Sequence, residues 1–112
     1  YVPYTCFSAL ESYMNEHPDV IQSFVKGIQK GLDYVNSHSS EEIAKIIQPQ
    51  FEETDFDTLK TIVERYHSQD TWKKDTVFTE EAFELLQNIL EEAGVLEKRV
   101  DYDDLVTTRF SK

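Results

Sequence analysis

Apolar positions recur every three or four residues through most of this chain, and that spacing predicts helices. Ile21, Phe24, Val25, Ile28, Leu32 and Val35 make the first stripe, in a helix expected at about 18–36. It opens at Pro18, whose missing N–H costs nothing there, with Asp19 at the positive end of the dipole. A capping box, Ser39 to Glu42, starts a second helix at about 40–48, with Ile43, Ile46 and Ile47 on one side and Pro49 halting it. A box-like run from Thr54 to Asp57 opens a third at about 55–68, carrying Phe56, Leu59, Ile62, Val63 and Tyr66. Thr79, followed by Glu80 and Glu81, caps a fourth at about 79–93. Its stripe is Ala82, Phe83, Leu86, Ile89, Leu90 and Ala93, and Gly94 closes it where a left-handed residue is favoured. Residues 101–106 suit one last turn.

Residues 2–10 follow a different rule. They are rich in β-formers, and Tyr4, Cys6 and Ser8 alternate with Thr5, Phe7 and Ala9, which predicts a strand. One strand leaves its own backbone groups unpaired. No convincing second strand follows, so the pattern implies that part of the fold lies elsewhere. Gly27 and Gly31 stand one turn apart beside the first stripe. Each costs about 1 kcal/mol against Ala in a helix interior, so a close approach by a neighbouring element is expected there.

Charge and chemistry narrow the functional classes. The formal net charge is −11 over 112 residues, which argues against binding nucleic acid or an anionic membrane surface. With Cys6 alone there is no internal disulfide and no thiolate zinc site. In a strand such a cysteine reads as a small buried hydrophobe. His17, His38 and His67 lack the spacing of a metal site. Paired acids such as Glu41-Glu42 and Glu91-Glu92 sit at caps and helix ends, where they read as solvated charge and not as an acid/base dyad. No phosphate loop occurs. The expectation is therefore a non-enzyme without cofactor. The absence of a leading Met or leader-like run is expected of an excised segment or processed product.

One segment remains, from Arg65 to Asp75 between the third and fourth helices. A connector of surface helices usually turns through Gly, Ser and Pro. This one instead carries Tyr66, His67, Gln69, Asp70, Trp72, Lys73 and Lys74, and Trp72 is the one tryptophan of the chain. Either Trp72 lies over the helix junction while Asp70 caps a turn, or the indole lines a pocket.

Several phrases, taken in order, resemble a known family. They are Tyr1 to Thr5, Pro18, Phe24 to Gly31, His38 to Ala44, Arg65-Tyr66, Gln69 to Trp72, Ala93 to Leu96, and Tyr102 to Thr108. The set resembles substrate-binding proteins of ABC importers, in the nitrate, sulfonate and taurine group that also holds binders of the thiamine pyrimidine precursor. His17 departs from the family, which often has Asn before this proline. The resemblance implies that 1–112 is the C-terminal segment of a two-lobed α/β protein of the periplasmic-binding-protein type II fold. The segment itself would be mainly α, about four helices plus one N-terminal strand. Its partners would be a small anionic or heteroaromatic solute and the permease subunits. Its location would be outside the cytoplasmic membrane, in a periplasm or as a bacterial lipoprotein. Tyr4, Thr5 and Trp72 match family phrases near the cleft and are the candidate ligand contacts. The alternative is a self-contained helical protein–protein interaction module, for which a strand at 2–10 would be of no use. The isolated segment, with edge and apolar faces uncovered, is expected to form a homodimer.

Overall fold

The computed structural model describes residues 2–3 and 5–111. It is mainly helical, and the described residues contain no strand. Six α-helices follow in order: α1 (Glu11–Glu16), α2 (Pro18–Ser37), α3 (Ser40–Ile47), α4 (Phe56–Ser68), α5 (Glu80–Glu92) and α6 (Tyr102–Leu105). A single 3-10 turn, Gln48–Gln50, carries Pro49 just past α3.

The start signals act through identifiable bonds. Ser39 Oγ accepts from the Glu42 N–H at 3.2 Å, and Glu42 Oε2 accepts from the Ser39 N–H at 3.0 Å, completing the capping box of α3. Thr79 Oγ1 accepts from the Ala82 N–H at 3.2 Å and starts α5. For α4 the cap is Asp55, one residue later than the box-like reading at Thr54. Asp55 Oδ1 accepts from the Thr58 N–H and Oδ2 from the Thr58 hydroxyl, both at 2.9 Å. A carboxylate that reaches two donors outcompetes a hydroxyl one residue earlier.

The expected strand at 2–10 does not form among its described residues. Alternation alone cannot build a ladder, and no second strand is present to satisfy the backbone. Cys6 is accordingly exposed, not a buried hydrophobe. Directly after this stretch, α1 occupies Glu11–Glu16, a short helix without a side-chain cap that the apolar pattern had not signalled.

The chain divides into two compact units, residues 1–25 with 76–112 and residues 26–75; α2 passes from the first into the second between Val25 and Lys26. In the unit 26–75, α3 packs on α4. Ile43 and Ala44 from α3 and Leu59 and Val63 from α4 are buried. Fully burying side chains such as Ile43 and Val63 contributes about 1.5–3 kcal/mol each.

In the other unit the buried side chains are Phe83, Gln87 and Phe110. Phe83 meets Phe78 and Tyr102 edge to face at 6.0 and 5.7 Å, and the Tyr102 hydroxyl donates to the Phe78 carbonyl. Phe110 is held from both sides in sequence. Gln22 Nε2 donates to its carbonyl at 3.1 Å, the Arg109 guanidinium lies 4.6 Å from its ring, and Ser111 Oγ donates to the Thr76 carbonyl at 3.0 Å.

Helix α2 buries no residue completely. Phe24 and Val20 are each 47% exposed, and Gly27 and Gly31 have nothing within 4 Å of where a Cβ would stand. The close approach expected at these glycines is absent; further toward the start of α2 the Phe7 ring meets Phe24 edge to face at 5.0 Å.

Candidate functional site

The aromatic connector begins with the end of α4. Beyond Ser68, the Asp70 N–H donates to the His67 carbonyl at 3.2 Å and the Thr71 N–H to the Tyr66 carbonyl at 3.0 Å. This is the pair of bonds of a Schellman motif, which requires a left-handed residue between them. Asp70 fills that place with φ 53°, a conformation that L-residues other than Asn and Asp seldom accept. Lys73 leans back over it, its Nζ 3.2 Å from the Asp70 carbonyl and 3.6 Å from Oδ2.

The reversal returns Trp72 onto the last turn of α4. Its indole meets Tyr66 at 5.6 Å and His67 at 5.2 Å, both nearly perpendicular, and is half-buried. His67 is itself anchored. Nε2 lies 2.7 Å from the Val35 carbonyl, and Nδ1 lies 3.2 Å from Ser40 Oγ. A carbonyl only accepts, so the proton sits on Nε2, and in the neutral ring Nδ1 accepts from the Ser40 hydroxyl. One imidazole thus ties the last turns of α2 and α4 to the first turn of α3.

Two amides of α2 hold the rest of the connector. Asn36 Nδ2 donates to the Lys73 carbonyl at 2.9 Å, and Gln29 Nε2 to the Lys74 carbonyl at 2.8 Å. Each also bonds within α2, Asn36 to the Leu32 carbonyl and Gln29 to Asp33 Oδ1. Gln29 and Asn36 are seven residues apart, two helical turns, so they share one face and reach consecutive carbonyls. Gln29 Oε1 is buried without a hydrogen-bond partner.

Electrostatics in this unit concentrate at the helix starts. The Glu42 carboxyl is held below the usual carboxylate range by its bond from the Ser39 N–H, and that of Asp55 by its bond from the Thr58 N–H. Among the described residues, no group of three or more His, Cys, Asp or Glu is arranged to hold a metal ion. Two shallow depressions lie open to solvent. One is lined by Asp57, Thr58, Thr61, Ile62 and Arg65, the other by residues 49–54, and neither includes Trp72.

Of the candidate contacts, Trp72 is half-buried on Tyr66 and His67, and Thr5 is exposed in the coil before α1. Tyr4 lies outside the described residues. The sequence reading missed Gln29, Asn36, Ser40 and His67 as companions of Trp72. The seven-residue spacing of the two amides was the available signal for the first two. His67 is part of the connector singled out by the sequence, but its partners Val35 and Ser40 come from helices far away in sequence. No helix among the described residues is long and apolar enough to cross a membrane.

This chain is similar to a Bacillus subtilis (strain 168) protein named "Putative binding protein YtlA", with 36% identity over 111 residues, or 99% of this chain. The chain spans about a third (33%) of that relative's length. No protein-family model matches it, and no solved structure matches at a significant level. The relationship is to a protein that carries the name of a putative binding protein. It identifies neither what is bound nor a transporter.

Proposed function

We propose that this chain is the C-terminal segment of the solute-binding component of an ABC importer. In this reading the whole protein is a two-lobed α/β receptor of the type II fold, located outside the cytoplasmic membrane and possessing no catalytic role. It captures a small anionic or heteroaromatic solute, of the nitrate, sulfonate, taurine or pyrimidine-precursor kind, and hands it to the permease. The observation that carries the reading is the 36% identity to a protein named as a putative binding protein, sustained over 99% of the chain. It agrees with the ordered family phrases that run from Tyr1 to Thr108.

Tyr4, Thr5 and Trp72 are the ligand contacts assigned in this reading. Trp72 is the best supported, since an indole fixed by Tyr66 and His67 presents apolar area at little entropic cost. The test is calorimetry on the whole protein with taurine, an alkylsulfonate, nitrate and the thiamine pyrimidine precursor. Saturable one-to-one binding of one of them is expected, and no binding by the folded protein to any of the four would overturn the reading. Trp72→Ala in that protein should weaken binding by about 1–3 kcal/mol. Unchanged affinity with lowered stability would remove Trp72 from the site and leave the receptor standing.

A second reading, a helical protein–protein interaction module, is favoured by one observation. The strand that would have tied this segment to a mixed sheet is missing from the described residues. Phe7, Leu10, Val95 and Leu105 are meanwhile 68–75% exposed. Sedimentation of the 1–112 chain from micromolar to millimolar concentration checks it. Concentration-dependent association is expected of uncovered apolar surface on either reading, and a strict monomer would count against both the module and the homodimer expected of the isolated segment.

A further inference from the structure

We draw no further inference here: the strongest candidate, the outer face of α2 where Val20 and Phe24 stand half exposed, is an apolar face on which Phe7 meets Phe24, and nothing in the structure shows what covers the rest of it.

Discussion

Helices α4 and α5 end with the same pair of backbone bonds, yet the chain beyond them is held in different ways. At the end of α5 the Gly94 N–H reaches the Glu91 carbonyl and the Val95 N–H the Leu90 carbonyl, with Gly94 at φ 74°. At the end of α4 the same bonds run from Asp70 and Thr71, with a non-glycine residue in the left-handed place. After α5 one buried side chain receives the returning chain. Gln87 Oε1 accepts from the Val100 N–H at 2.7 Å, and its Nε2 donates to the Val100 carbonyl at 3.0 Å. Arg99 adds a bond to Glu84 at 2.5 Å and one to Asn88 at 2.9 Å. After α4 the load is divided between two amides, the half-buried Gln29 and the exposed Asn36, each giving one bond to the connector. The lesson is that a shared turn geometry says little about how a connector is fixed. The side chains that meet the returning backbone decide that.

The difference is breakable at its strongest point. Gln87→Met keeps the volume but strips both bonds from Val100, and is expected to destabilise by about 2–3 kcal/mol. Denaturant unfolding measures it. A loss no larger than that of either α2 amide would erase the contrast between one buried tether and two shared ones. Gly94→Ala should cost about 1–2 kcal/mol from the backbone alone, since nothing lies within 4 Å of the added Cβ. Neutral behaviour in the same assay would mean that α5 can end without a left-handed residue.

Smaller effects are expected on the α4 side. Gln29→Ala and Asn36→Ala should each lose about 0.5–1.5 kcal/mol, accompanied by a change in Trp72 fluorescence as the connector loosens. Loss of stability without any spectral change would show that these amides do not position the indole. Asp70→Gly should raise stability by up to about 1 kcal/mol by relieving the left-handed backbone. The exposed contact to Lys73 that it sacrifices is worth little.

The smallest effect is on pH dependence. Glu42 and Asp55 have carboxyls lowered by backbone bonds in the folded chain. Their contribution is therefore present above the unfolded carboxylate pKa and is lost as pH falls through the folded value. Glu42→Gln and Asp55→Asn should flatten the acid side of the stability profile of the unit 26–75. Thr79 caps α5 with a hydroxyl, which does not ionise in this range. An equal flattening from Thr79→Ala in the other unit would contradict the assignment to the carboxylates.

Legibility in the sequence followed the range of each interaction. Pro18, the Ser39 to Glu42 box, Thr79 and Gly94 act within four residues, and the elements they mark are where the pattern put them. Asp55 lay one residue from the expected cap, because two adjacent residues could both serve. The strand was over-read, since alternation describes a face and not a partner. The glycine pair was over-read for the same reason. Trp72 was recognisable as unusual, but its support was not. His67 depends on Val35 and Ser40, 32 and 27 residues away, and nothing local in a sequence records such distances. Gln87 escaped notice altogether, because a glutamine one position after Leu86 reads as the wet side of the stripe.

That glutamine also has an evolutionary consequence. To serve the N–H and the C=O of Val100 together, a side chain must carry a donor and an acceptor on one planar group at that reach. Asn carries the group one methylene too short, Glu at neutral pH accepts without donating, and Lys donates without accepting. Position 87 therefore has no conservative neighbour in the genetic alphabet. Drift there should be permitted only when the loop that ends at Val100 changes with it.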